Sequence, residues 1–296
     1  MAEFTYDEPT NREDLTDAIT NISPTQTPIT TMIGKTKATA TKHEWPEDEL
    51  SDAAANAQIE GAADTAVPAP ARTRNDNYTQ IMKRGYSVTG TQQAVKTAGV
   101  SDEYGYNMLK AMKELAKDLE LAVTTQTTKS AGTKTAARTF AGIPGMVTTN
   151  VLADTNTTPV PRFITRDLIT TALQNAWAAG GEPNKLICSG SNKRIISALT
   201  TSNTKNIDAA KKQVIEAVDV IDTDFGRIEI SASRFMPDTE VFVLDPQYIA
   251  LAWLRPFKRK DLPDDSDGQA GVITGEMTLE LRGEKGQAII KDLKVS

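Results

Sequence analysis

His43 is the only histidine in this chain of 296 residues, and Cys188 is the only cysteine. Catalytic triads built on histidine and metal sites built on several imidazoles therefore have almost nothing to draw on. His43 stands beside Glu44 and Trp45 in an alternating stretch and reads as an ordinary strand histidine. Cys188, between Ile187 and Ser189, reads as a buried structural thiol, and alone it makes neither an intrachain disulfide nor a thiolate metal site. Ser189-Gly190-Ser191 lacks the glycine that precedes the serine of a nucleophile elbow. Gly34-Lys35-Thr36 looks like the end of a phosphate-binding loop, but Ile29 occupies the place of the required earlier glycine. Asp264-Asp265-Ser266-Asp267-Gly268 has the texture of a calcium loop, yet Pro263 takes the first ligand position and Thr274 that of the bidentate glutamate. Asn21, Asn77 and Asn156 match glycosylation sequons, and no signal peptide makes them more than chance. No catalytic constellation, cofactor site or metal site is expected.

Bulk properties narrow the field further. A net charge of -6 opposes any role in which lysine and arginine neutralise phosphates to grip nucleic acid, and 5% aromatic residues are too few for base-stacking platforms. No window approaches the ~20 apolar residues that span a bilayer. The acidic start, MAEFTYDEPTNRED, has no basic and apolar leader, so synthesis in a cytoplasm is expected.

The elements available to position anything are these. Residues 1–34 carry Pro9, Pro24 and Pro28 and too little apolar content for a core of their own, so they read as an arm that packs on something else. Lys35–Glu44 and Tyr78–Thr91 alternate as strands, the second with Tyr78, Met82, Tyr86 and Val88 on one face. The long Ala-, Asp- and Pro-rich stretch between them has no apolar set to bury and is expected to tip a projecting hairpin. Ser101–Thr127 is expected to be a helix on the order of 40 Å long, capped by Ser101, with an apolar stripe of Met108, Met112, Leu115, Leu119 and Ala122. Irregular chain follows, with a turn at Gly142-Ile143-Pro144-Gly145.

From Thr165 the texture becomes α/β. A helix carries Leu168, Ile169, Ala172, Leu173, Ala176 and Trp177, a strand spans Lys185–Ser189, and Ser191 is placed to cap a second helix. Val214–Ile221, Arg227–Ser231 and Glu240–Leu244 read as further strands. After a strand at Tyr248–Leu254, the run RPFKRKDLPDDSDGQAG places a basic cluster directly before an acidic one. Glu276–Arg282 and Gln287–Leu293 are expected to close the chain as a hairpin, with Met277, Leu279 and Leu281 on one face.

This order of parts resembles the major capsid proteins of tailed phages, the Hong Kong 97-like family, and the wording of NREDLTDAITNISPTQTPITTMIGKTKATATKHEWPEDEL and TRNDNYTQIMKRGYSVTGTQQAV is similar to the opening of one branch of it. The resemblance implies an α+β fold. Residues 1–34 would be the N-terminal arm, 35–91 the extended β-hairpin loop lying over a neighbour, and 92–160 the peripheral domain with its spine helix at 101–127. Residues 161–249 would form the α/β axial domain, and 250–296 a return to the peripheral domain. It further implies pentamers and hexamers of an icosahedral head enclosing double-stranded DNA, which is contacted non-specifically.

Arg255–Gln269 would be a loop near the local three-fold axes, where Lys258, Arg259 and Lys260 meet Asp264, Asp265 and Asp267 of adjacent copies. Some relatives carry a scaffolding extension before the arm, for which this chain has no room, so a separate scaffolding protein is expected, with a portal and a decoration protein as further partners. Relatives that weld subunits through Lys and Asn have no counterpart assignable here. Two alternatives stay open on sequence: an encapsulin-type nanocompartment shell, and an α/β enzyme with a β-rich insertion.

Overall fold

The computed structural model describes residues 26–51, 53–61, 70–95, 99–154, 160–201, 207–208, 213–214, 219–263 and 267–294. In chain order, α1 (Pro28–Met32) leads to β1 (Gly34–Lys37), β2 (Lys42–Glu47), β3 (Thr73–Tyr78), β4 (Gln80–Thr89) and α2 (Gly90–Ala94). The long α3 (Glu103–Thr125) follows, then α4 (Ile143–Met146) and β5 (Val151–Leu152). Next come α5 (Arg166–Ala178), β6 (Lys185–Cys188), α6 (Gly190–Thr201), β7 (Ile207–Asp208) and β8 (Gln213–Val214). The chain closes with β9 (Val220–Thr223), β10 (Gly226–Ala232), β11 (Val241–Leu244), β12 (Ile249–Asp261), β13 (Gly268–Leu281) and β14 (Ala288–Ile290).

Two larger sheets hold ten of the described strands, and β2–β3 and β7–β8 each form a two-stranded sheet. A four-stranded sheet runs β1-β12-β13-β4, and a six-stranded sheet runs β5-β14-β11-β6-β10-β9. Period-two alternation along β13 gives the first sheet two different faces. Ile273, Met277, Leu279 and Leu281 turn towards α3 and form one core with Tyr104, Ala111, Leu115, Leu119, Ala122 and Val123. Glu276, Thr278 and Glu280 turn the other way and are also buried. The six-stranded sheet has its own core, in which Leu186, Cys188, Ile228, Ile230 and Val243 pack with Ile169, Leu173 and Ile196 of α5 and α6.

The helices differ from expectation in ways with local causes. Asp102, not Ser101, caps α3, its carboxylate accepting the Gly105 N–H at 3.0 Å. Met112 is 48% exposed, because the buried stripe runs through Ala111 and Leu115, one position round from the expected line. Ser189, not Ser191, caps α6 by accepting the Asn192 N–H at 3.3 Å. Trp177 lies on the outer side of α5, its ring 5.7 Å from that of Phe225.

Three strand expectations are corrected. Arg255–Gln269 is not a loop: β12 continues to Asp261 and β13 starts at Gly268, and their register shifts twice between Trp253 and Lys258. Pro256, which has no N–H to give to the ladder, lies within the second shift. The closing hairpin does not form, since β13 belongs to the four-stranded sheet while β14 pairs with β11 and β5 in the other. Val214–Ile221 is divided between two sheets: Val214 pairs in β8 with β7, whereas Val220 and Ile221 pair in β9 with β10, and residues 215–218 lie outside the described residues.

Candidate inter-subunit surfaces

The excursion between β1 and β4 is anchored at its root and open at its tip. β2 and β3 pair antiparallel from Lys42↔Tyr78 to Glu47↔Thr73. At the root, Glu280 of β13 takes hydrogen bonds from Thr36 at 2.8 Å and Arg282 at 2.5 Å and shares one of 3.0 Å with His43 Nε2. Burial alone raises the Glu280 carboxyl, but the bonds from His43, Arg282 and Thr36 together outweigh it and hold the group below the usual glutamate range. Glu276 binds Thr79 at 2.7 Å and Arg255 at 2.8 Å and also pairs with Arg138, which ties the crossing segment after α3 to the same sheet.

Asn77 is the tightest of these joints. Its side-chain amide donates to the carbonyls of Ala141 at 3.0 Å and Leu279 at 2.9 Å, and its oxygen accepts the N–H of Ala141 at 2.9 Å. Fully buried, it is a structural hub and no acceptor for a glycan, while Asn21 and Asn156 lie outside the described residues. A cavity of about 700 Å³ lies beside this root, lined in part by Trp45, Arg74, Asp76, Lys129, Met146 and Glu284. Beyond the root the hairpin leaves the body, and Leu50 is 96% and Ile59 85% exposed.

The second surface is the free end of the β12–β13 hairpin. Lys258 and Lys260 are exposed there and have no ion partner among the described residues. Arg259 is engaged within its own chain: its guanidinium meets both oxygens of Asp261, at 2.8 and 3.1 Å, and lies 5.2 Å from the Tyr104 ring centroid. Tyr104 donates to the same Asp261 at 2.8 Å. Arg259 first, then the Tyr104 hydroxyl, hold the Asp261 carboxyl below its ordinary value, whereas burial, then Asp261, push the Tyr104 phenol upward. Asp264 and Asp265 lie outside the described residues. Asp267 is exposed at the foot of β13, its carbonyl accepting the Gly90 N–H at 3.2 Å.

Cys188 is fully buried in β6, and loss of solvation pushes its thiol up to about 12. Among the described residues, no group of three or more His, Cys, Asp or Glu side chains is placed to hold a metal ion, and no helix is long and apolar enough to cross a membrane.

A spine helix laid across one sheet, a hairpin projecting from its far side and a separate α/β sheet together define a capsid subunit of the Hong Kong 97-like α+β fold. The chain of the cyanophage A-1(L) capsid asymmetric unit superposes with a TM-score of 0.76 at 13% identity, covering 98% of this chain and 99% of that one. The SrpI encapsulin of Synechococcus elongatus superposes less closely, with a TM-score of 0.61 at 9% identity over 100% and 97% of the two chains. The chain belongs to the SU10 major capsid protein family, whose model matches residues 3–294. It is similar to the major capsid protein of Escherichia phage Phieco32, at 24% identity over 96% of this chain and 95% of that protein. Its function is that of a tailed-phage major capsid protein, a structural subunit of the virion shell. The family match favours the phage capsid over the encapsulin alternative that the sequence left open.

Proposed function

We propose that this subunit builds pentamers and hexamers of an icosahedral head in which the β2–β3 hairpin lies over an adjacent copy, and that its role is structural with no catalytic step. The observation that carries this reading is the near-complete exposure of Leu50 and Ile59 at the end of the excursion. Large apolar side chains held out beyond the β2–β3 pair gain burial against another molecule, and a copy of the same chain is the partner present in excess in a shell. The α/β lobe of 161–249 would surround the capsomer axes, with 92–160 and 250–296 as the peripheral domain. Lys258 and Lys260 are free to meet Asp264, Asp265 and Asp267 of an adjacent copy near the local three-fold axes, whereas Arg259 serves its own Asp261 and Tyr104. A separate scaffolding protein, a portal and a decoration protein would complete the head. The net charge of -6 suits a lumen that touches packaged double-stranded DNA without holding it.

Deletion of residues 50–71 tests the hairpin directly. The variant should keep the far-ultraviolet spectrum and melting temperature of the wild type and form no shells by electron microscopy. Shells at wild-type yield would refute the reading.

A further inference from the structure

The face of the four-stranded sheet that turns away from α3 is covered over only part of its length. Met82 and Tyr86 of β4 belong to the core under α3 and Arg84 reaches Glu114 at 2.8 Å, so Ile81 and Lys83 point to the other side. The hairpin root covers that side as far as Thr79, which binds Glu276. Ile81, the β4 partner of Glu276, is 48% exposed. Beside it lies a cavity of about 550 Å³, walled by residues 131–138. This wall is fixed by its own bonds: Ser130 and Thr139 exchange backbone hydrogen bonds of 2.9 and 3.1 Å, the Thr133 N–H donates to the Ala136 carbonyl at 2.9 Å, and Arg138 pairs with Glu276. Gly132 turns the chain at φ +69°, where an added Cβ would stand 2.8 Å from the Arg138 nitrogen. Ala131, Ala136 and Ala137 face solvent, and Lys83 and Lys134 are exposed with no ion partner among the described residues. The cavity is therefore rigid, apolar at its base and basic at its rim.

We propose, building on the inter-subunit role of the hairpin tip, that this cavity receives the tip of an adjacent copy, with Leu50 and Ile59 against Ile81 and the alanines and Glu60 against Lys83 and Lys134. The tip of the same chain is directed elsewhere. Successive contacts carry the hairpin from Thr79 at Glu276, past His43 at Glu280 and Glu47 at the Gly283 N–H, to Glu49 at Lys285, away from Ile81. Tip and cavity thus lie on opposite sides of the hairpin root, and a contact between two such different surfaces joins copies head to tail, the kind that closes into rings. The charge is complementary: from Leu50 to Ala71 the chain holds Asp52, Glu60 and Asp64 and no lysine or arginine, and Glu60 is exposed without an ion partner among the described residues. DNA would satisfy the two lysines but leave Ile81 and the alanines uncovered.

Cross-linking between chains in assembled shells decides the matter. Full-length Ile59→Cys and Ile81→Cys subunits are mixed, assembled and treated with a short bis-maleimide, while buried Cys188 stays unreactive. The control replaces Ile81→Cys with Leu262→Cys, an exposed position on the β12–β13 hairpin. Expected is a linked pair of unlike chains at a yield at least tenfold above the control, and the pair Leu50→Cys with Ala137→Cys should repeat it. A yield equal to the control, in shells that protect Ile59→Cys from a monofunctional maleimide, would overturn this landing site while leaving the tip between subunits. Ile59→Cys as reactive in shells as in free subunits would overturn both. Protection of Ile81→Cys only after DNA is packaged would assign the cavity to DNA and overturn the proposal.

Discussion

Replacing Asn77 with alanine removes a side chain that stands in for a missing strand. β4 pairs with β13 only as far as Gln80↔Met277, and two residues further along β13 the Leu279 carbonyl is met by the Asn77 amide at 2.9 Å. The same amide holds both the N–H and the carbonyl of Ala141, so three backbone groups in a fully buried site lose their partner together. At about 1–3 kcal/mol for each buried group left unmatched, and allowing for partial relaxation, the loss should reach roughly 3–5 kcal/mol. With about 2 °C per kcal/mol for a chain of this size, the melting temperature should drop by roughly 6–10 °C. Asn77→Asp should be worse than alanine, because it keeps the acceptor but turns a carboxylate towards two carbonyl oxygens. Differential scanning calorimetry of unassembled subunits provides the comparison. A shift under about 1 °C for alanine, or an aspartate variant more stable than the alanine one, would refute this reading of the site.

Three further outcomes follow from the same joints. Glu280 has its folded pKa lowered, so its contribution to stability is complete above the ordinary glutamate value of 4.5 and is lost as pH falls through the folded value; urea midpoints should decline on acidification below that value, and Glu280→Gln should flatten the decline. Glu120→Gln keeps one acceptor oxygen but loses the charge behind two bonds to α1, which should cost about 1–3 kcal/mol and hasten proteolysis around Thr27–Ile33 without unfolding the sheets. Gly145→Ala would put a methyl group inside the contact distance of the Thr127 carbonyl just past the end of α3, and should destabilise by about 1–3 kcal/mol in the same calorimetric assay.

What the sequence made legible was whatever a core dictates. α3 and α5 announce themselves because buried residues recur at helical spacing, and Met277, Leu279 and Leu281 because they alternate against α3. The outer half of β12 was hidden because, of Arg255–Asp261, Phe257 alone packs against the core, and charge and Pro256 mimic a loop while the ladder to Gly271–Glu276 holds the strand. The partner of β14 was hidden because the glycine turn at 283–286 looks the same whether the chain returns to its own sheet or crosses to another. Buried carboxylates gave no signal at all. Glu120, Glu276 and Glu280 look like surface residues in the sequence, and only the distant groups Ile29, Arg138 and His43 show what they hold. Asn77 was visible only as a sequon, for its partners lie 64 and 202 residues away.

The claim on which the functional reading turns is that the hairpin tip rests on another copy. A cryo-electron microscopy map of shells assembled from the purified protein, at side-chain detail, measures this directly. Leu50 and Ile59 should lie covered by an adjacent subunit at every quasi-equivalent position. A tip folded back on its own subunit, or solvent-exposed throughout the shell, would contradict it.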